Sequence, residues 1–269
     1  MSKNKYTITQ EIVLPSKGHL NPEIPDGIVT QRCMMVSDQK YLSGSSVVKG
    51  NKMNRLLQDT TVAPDGFDVT KLTLPDILFM SLKLRCLSYG NSMRFTTVCP
   101  VCGQKTEVTL DLSTLEVKDL PDDYEESLKI KLPIAGDTVL TRILTVQDFE
   151  DISDDLKSAR KRLNDDEAVI NLEYEYRIAK MIKKVILKTP TEDGDKELTF
   201  PTDIQQYVSE LPDLDATAII STVDNIQYGV TPTAEAICTE CGREITVPVR
   251  FTGDFFRPKY DRTSSYVIK

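Results

Sequence analysis

Cys99-Pro100-Val101-Cys102-Gly103 and, far downstream, Cys238-Thr239-Glu240-Cys241-Gly242 are two copies of one pattern, a Cys-x-x-Cys-Gly knuckle. Each runs straight into an alternating, strand-like segment: Glu107-Val-Thr-Leu110 after the first and Ile245-Thr-Val-Pro-Val249 after the second. A two-residue gap lets both thiolates of one knuckle reach a single ion, and the glycine relieves the tight turn beneath it. Two such halves supply the four sulfurs of a tetrahedral structural zinc, so Cys99, Cys102, Cys238 and Cys241 are the candidate ligands. The pattern reads as a zinc ribbon split by a long insertion. Ribbon halves usually stand about 15–20 residues apart, and the wider gap here adds only about 2 kcal/mol of closure entropy. A structural zinc contributes roughly 10–16 kcal/mol in apparent terms, which exceeds that cost several-fold.

Two other uses of the cysteines remain open at this level. A redox Cys-x-x-Cys needs a βαβ context with its first cysteine at a helix start, whereas strand-like residues follow both pairs here. Two disulfides would need an oxidising compartment. Met1-Ser-Lys-Asn-Lys-Tyr-Thr-Ile leads into no apolar run, so no secretory leader is expected. The same four sulfurs also suit iron. Cys33 and Cys86 sit in apolar stretches without partner spacing and read as small core residues.

With 269 residues, 40% hydrophobic and 28% charged, the composition is that of an ordinary globular chain able to bury a core. No run reaches the length of a membrane span. A net charge of −8 argues against a phosphate-backbone partner for the protein as a whole. The single histidine, His19, lies in a Gly-His-Leu turn and reads as a solvated loop residue, so histidine-dependent catalysis has little support. There is no Gly-rich phosphate loop, no paired-carboxylate constellation and no Ser/His/Asp arrangement. The expectation is a protein that is not an enzyme and has no small-molecule substrate.

Along the chain, Tyr6–Thr9 and Glu11–Leu14 look extended, and Leu14-Pro15-Ser16-Lys17-Gly18 is a turn. Ile28–Val36 is β-branched enough for a strand, with Ser37-Asp38 as the cap of a short helix. Gly44 to Ser46 marks a loop, and Asn51–Gln58 a helix. The clearest helix lies in the segment Leu72 to Gly90. Thr73 and Asp76 make a capping box, Pro75 sits in the first turn, and Gly90 terminates it. Ile77, Met80, Leu84 and Leu87 give it one buried stripe. Met93–Val98 then alternates into the first knuckle. Beyond Asp111, strands are expected at Leu115–Lys118, Leu128–Leu132 and Thr138–Leu144, with a turn over Pro133–Asp137. Val146–Leu163 reads as an amphipathic helix with Phe149, Ile152 and Leu156 inward. Asp165–Leu187 reads as another, with Tyr174, Ile178, Met181, Ile182 and Val185 as its apolar face. Acidic Asp165, Asp166 and Glu167 at its start and Lys180, Lys183, Lys184 and Lys188 at its end suit the helix dipole. Glu192–Asp195 is a turn, and Thr202–Leu211 and Leu214–Tyr228 are short helices parted at Pro212. The adjacent rings of Phe255 and Phe256 either cap the core or dock on a neighbour. The fold class is therefore α+β, in three segments. Residues 1–114 carry the N-terminal strands, the helix and the first knuckle. Residues 115–230 are a mixed, mostly helical insertion. Residues 231–269 hold the second knuckle and a tail, and pack with 1–114.

The order of these pieces resembles a known family. Leu14-Pro-Ser-Lys-Gly18, a helix ending Arg85-Cys-Leu-Ser-Tyr-Gly90, Cys99-Pro-Val-Cys-Gly103 with Val108–Val117 behind it, a helical insertion, Cys238-Thr-Glu-Cys-Gly242 and Asp254-Phe-Phe-Arg-Pro258 together look like the baseplate hub proteins of contractile-tailed, T-even-type bacteriophages. The sequence differs from that pattern at Thr239, where a proline often stands, and at His19-Leu20, where an aromatic is expected. The resemblance implies a structural or assembly protein of the viral tail baseplate, in the host cytoplasm during assembly and in the virion afterwards. It implies other baseplate and tail proteins as partners, and no nucleic acid or membrane. One alternative in this class is an assembly chaperone that leaves before maturation. Another, from a different class, is a nucleic-acid-binding zinc ribbon using the basic cluster Lys157, Arg160, Lys161 and Arg162, against which stand the acidity and the absence of interleaved aromatics.

Overall fold

The computed structural model of the protein describes residues 7–42, 51–124, 128–163, 166–189, 196–251 and 253–257. In chain order it begins with β1 (Thr9–Val13), β2 (Ile28–Arg32), α1 (Gln39–Leu42), α2 (Asn51–Thr60), β3 (Thr61–Val62) and α3 (Leu74–Tyr89). Then come β4 (Ser92–Val98), β5 (Lys105–Asp111), β6 (Val117–Lys118), β7 (Leu128–Lys131) and β8 (Thr138–Thr141). The remainder is α4 (Val146–Leu163), α5 (Asp166–Met181), β9 (Ile182–Ile186), β10 (Glu197–Leu198), α6 (Pro201–Ser209), α7 (Asp213–Asp224), β11 (Gly229–Val230), β12 (Thr233–Ile237) and β13 (Glu244–Pro248). Among the described residues every strand pairing is antiparallel, which makes the class α+β, as expected. The expected loop at Gly44–Ser46, residue Asp165 and the turn at Glu192–Asp195 lie outside the described residues.

The chain divides into two compact units, Met1–Val69 with Pro75–Leu120 and Tyr228–Lys269, and Thr70–Leu74 with Pro121–Gln227. The first holds a sheet in the order β1-β2-β3, the hairpins β4-β5 and β12-β13, and the short pair β11-β6. Its Pro15–Gly18 turn is compact. The Leu14 amide donates to the Gly27 carbonyl at 2.8 Å, and a Cβ on Gly18 (φ +80°) would sit 2.4 Å from the Ile24 carbonyl oxygen, so only glycine fits. Asp76, in the first turn of α3, accepts a hydrogen bond from the Ser16 amide at 3.1 Å and ties that turn to the helix start. Ile77, Met80 and Leu84 are buried as expected, but so are Phe79, Leu82 and Arg85. The helix is enclosed on more than one side, not along a single stripe, because it is apolar almost all round. Phe255 and Phe256 are fully buried, their rings edge to face with centroids 5.0 Å apart. Of the two readings of that pair, capping the core is the one observed.

The second unit packs helices α4 to α7 with a sheet in the order β10-β9-β8-β7, around Leu132, Val139, Ile178, Val185 and Ile219. Several expectations need correction. The helix expected to reach Leu187 ends at Met181, and Ile182–Ile186 is a strand between β8 and β10. Lys183 and Lys184 therefore lie on a strand, and of the four lysines only Lys180 can answer the helix dipole. Phe149 of α4 is 41% exposed, so the buried stripe of that helix runs through Ile152 and Ala159, and Tyr174 of α5 is 42% exposed, leaving Val169, Ile178 and Met181 as buried positions of that helix. The strand expected to reach Leu144 stops at Thr141, and the next residue, Arg142, forks onto Asp148. Strand pairing at Leu115–Lys118 is likewise limited to Val117–Lys118.

Both units use the same device at a strand-to-helix junction. Arg32 forks onto Asp38 at 2.7 and 3.1 Å, and the Met35 amide donates to the same carboxylate at 2.7 Å. Hence Met35 is the cap residue of that turn, in place of the expected Ser37-Asp38. Arg142 forks onto Asp148 at 2.7 Å twice, and the Thr145 amide donates to it at 2.8 Å. Burial alone would raise both carboxyls; the guanidinium and the amide outweigh it and hold both below the usual carboxylate range. A carboxyl with a depressed folded pKa stabilises above its unfolded value, about 4, and that contribution is lost as pH falls through the folded value. Arg142→Met should therefore lower stability at pH 7 by roughly 2–3 kcal/mol, less than for a fully buried pair because Arg142 is partly solvated. The gap between variant and parent, measured by urea titration, should shrink steadily from pH 5 to pH 3.

Candidate metal centre

β4-β5 and β12-β13 are hairpins whose tips are the two knuckles. Alternation drives them: Thr106, Val108 and Leu110 of β5 are buried, as are Ile245 and Val247 of β13, while the intervening side chains face out. The tips share one backbone geometry. The Cys99 amide donates to the Gln104 carbonyl and the Gly103 amide to the Cys99 carbonyl, both at 2.9 Å; Cys238, Arg243 and Gly242 repeat both bonds at 2.9 Å. Gly103 and Gly242 both take positive φ, +73° and +69°. Neither knuckle opens a helix, so the context that a redox motif needs is not met.

The four sulfurs converge. Cys99 Sγ lies 3.9 Å from Cys241 Sγ, Cys102 Sγ lies 3.9 Å from Cys238 Sγ, and all four are within 4.8 Å of one another. Each cross-contact joins the first cysteine of one knuckle to the second of the other. A disulfide requires about 2.05 Å, and all six cysteines are free thiols. Four sulfurs set tetrahedrally at about 2.3 Å from a zinc would stand roughly 3.8 Å apart. The donor set thus fits a thiolate-bound ion in chemistry, number and spacing. Cys99 and Cys238 are buried, whereas Cys102 and Cys241 reach the surface. The Cys238 thiol is pulled down to about 6, first by the Cys241 backbone amide and further by the Glu240 amide and the neighbouring thiols, against desolvation. Cys102 goes up to about 12: the Gln104 amide favours its thiolate, but desolvation and the sulfurs of Cys99, Cys241 and Cys238 outweigh that.

Two groups that hold this geometry escape a reading by residue type. Thr106 Oγ1 accepts the Thr239 amide proton at 3.0 Å, and the two hydroxyls are 2.9 Å apart. This bond crosses from one hairpin to the other, and a proline at position 239 has no proton to make it. Arg85, 2% exposed, donates to the carbonyls of Gly90 at 2.8 Å and Ser92 at 3.2 Å, fixing the start of β4 to the end of α3. Its guanidinium also lies over the Tyr89 ring. Cys33 is buried, its sulfur accepting the Ile8 amide at 3.4 Å, and Cys86 is half-buried, its thiol pushed up to about 11 by desolvation. Neither is near enough to join the cluster among the residues described. His19 is exposed in its turn. Lys157, Arg160, Lys161 and Arg162 are exposed on α4, with Lys157 paired to Asp154. No described helix is long and apolar enough to cross a membrane.

An α+β chain with a four-thiol centre at the meeting of two hairpins is the class these observations define. The family model described as T4 bacteriophage base plate protein matches residues 7–257, and the chain belongs to that family. It is a baseplate protein of a T4-type phage tail, with a structural or assembly role among other tail proteins. No curated protein and no solved structure matches it.

A Cβ on Gly103 or Gly242 would meet no atom within 4 Å, so an alanine there is penalised by φ alone. Gly103→Ala and Gly242→Ala should each cost about 1 kcal/mol in thermal unfolding. Both variants should retain the metal content of the parent by atomic emission.

Proposed function

We propose that the protein is a zinc-stabilised structural subunit of the hub region of the baseplate, working by protein–protein contacts and without catalysis of its own. The observation that carries this reading is the convergence of four cysteine sulfurs from hairpins far apart in sequence, in a chain of the baseplate family. Cys99, Cys102, Cys238 and Cys241 would hold the ion. When bound, it neutralises the thiolates and closes the long loop between the knuckles. A four-sulfur donor set leaves no open position for a substrate, which supports a structural ion over a catalytic one. The two hairpins, α3 and the Phe255–Phe256 turn would then form one rigid body. The insertion, 115–230, offers its surface to neighbouring subunits. The net charge of −8 supports protein partners over nucleic acid or anionic membrane. Its place is the virion tail, reached by assembly in the host cytoplasm.

Cys99→Ser or Cys241→Ser should lose the bound metal and the thermal stability together, and a phage carrying either should fail to complete baseplates. Normal baseplates from a metal-free variant would overturn the structural role of the ion. Mass spectrometry of purified virions should find the protein in stoichiometric amount; its absence from virions that required it for assembly would make it a transient chaperone instead.

A further inference from the structure

We propose that the chain is one folding module written twice, residues 9–111 and 128–249, and that the four-thiol centre is the junction of the two copies' hairpins. Each copy opens with the same antiparallel strand pair. Ile12 pairs with Val29 and Val13 with Ile28 in the first; Ile130 pairs with Val139 and Lys131 with Thr138 in the second. Each first strand ends in Leu-Pro, and the leucine amide, of Leu14 or Leu132, closes the turn at 2.8 Å onto the residue before the second strand. At the end of each second strand stands an arginine, the last residue of β2 and the first after β8, that forks onto an aspartate six positions on, Arg32 to Asp38 and Arg142 to Asp148. Two helices follow, then a strand that returns antiparallel to the second strand, β3 in one copy and β9 in the other. The sheet orders β1-β2-β3 and β7-β8-β9 are the same.

From there the two copies stay in register without a gap, Asp76 to Leu110 against Asp215 to Val249. Asp76 and Asp215 are both third residues of their helices, and both carboxylates accept amides from the Leu-Pro turn of their own copy. Met80 and Leu84 answer to Ile219 and Val223, all buried. Tyr89-Gly90 answers to Tyr228-Gly229, with both glycines at positive φ. Val98 and Ile237, ahead of the knuckles, are 59% and 64% exposed. The hairpin registers coincide too, Thr97 with Thr106 against Ala236 with Ile245. A shared topology alone would not place the same side-chain clamps and the same metal-ligand pairs at matching points. The reciprocal sulfur contacts are those of an isologous pair, in which each half offers the same patch to the other. The two hairpins pair as the halves of a dimer do, and the β10–α6 segment is an addition peculiar to the second copy.

The equivalence makes a claim about contacts that sequence similarity does not. Position 106 touches position 239 across the hairpins, so position 245 should touch position 100 in the same way: a Thr–Thr pair on one side, an Ile–Pro pair on the other. Exchanging the pairs in the full-length protein tests this. I245T alone buries a hydroxyl opposite a proline that has no proton to give, and should lower Tm by about 2–4 °C. Adding P100T supplies the amide, so P100T/I245T should recover to within about 1 °C of the parent, retain zinc against a chelator, and show slowed hydrogen exchange at the amide introduced at position 100. If P100T and I245T instead add without recovery, the two hairpins are not equivalent and the proposal fails. Should I245T leave no folded protein, T106I/T239P reads the same relation from the other side: recovery of the double over either single supports it, and simple additivity overturns it.

Discussion

Four sulfurs held within 4.8 Å of one another cannot all be thiolates unless a cation shares the site. At an effective dielectric near 20, each pair of unit charges about 4 Å apart repels by about 4 kcal/mol, and four thiolates make several such pairs. Protons relieve the strain in one way, which is why the group reached by two backbone amides, Cys238, ionises easily and Cys102 resists. A divalent ion relieves it in another and adds attraction to every sulfur. The surrounding hairpins are built to hold the sulfurs close in spite of that repulsion. Each tip is braced by two 2.9 Å backbone bonds, and the Thr106–Thr239 bond pins the hairpins to each other beside the cluster.

Away from the sulfurs, the same principle recurs with carboxylates. Asp76 and Asp215 are almost fully buried, yet each spends its charge on backbone amides of a Leu-Pro turn, so neither is left uncompensated. Asp38 and Asp148 do the same with an arginine fork and an amide. Arg85 is the counterpart of opposite sign, its guanidinium satisfied by carbonyls at the end of α3 and the start of β4. These contacts are directional where apolar packing is not. They fix which turn meets which helix end, and so carry positional information from the Leu-Pro turn through α3 to the first knuckle.

What could be seen in the sequence was local. The knuckles, the proline in the first turn of α3, Gly90 at its end and the alternation of β4 and β5 each lie within a few positions of the residues that decide them. The strand Ile182–Ile186 was hidden because Ile178, Met181, Ile182 and Val185 also fit a helical period and lysines are good helix formers; only pairing to β8 and β10 settles it. The arginine forks that follow β2 and β8 join residues six apart, outside any strand or helix period. Thr239 looked like a departure from a family pattern, and its reason, a hydroxyl on β5 at position 106, lies on the other hairpin. The recurrence of the whole module was hidden for a related reason. The residues common to both copies are the clamps, the knuckles and a few buried positions, and the unequal turns at Pro15–Gly27 and Pro133–Asp137, the longer helices α4 and α5 and the added β10–α6 segment keep the copies out of register before Asp76.

That distribution of shared residues bears on how the protein holds together. Within each copy, strand pairing and the aspartate clamps join segments that are close in sequence or one helix pair apart, contacts that form with modest closure cost. Cys102 and Cys238 are 136 positions apart, and the bonds between the two hairpins span comparable distances. Between the two hairpins themselves the connection is made by the sulfurs, the threonine pair and the packing of β12 against β5. An ion that binds all four sulfurs acts on that link and not on the well-braced interiors of the copies. The chemistry best able to close a long loop would therefore act where the two hairpin tips meet.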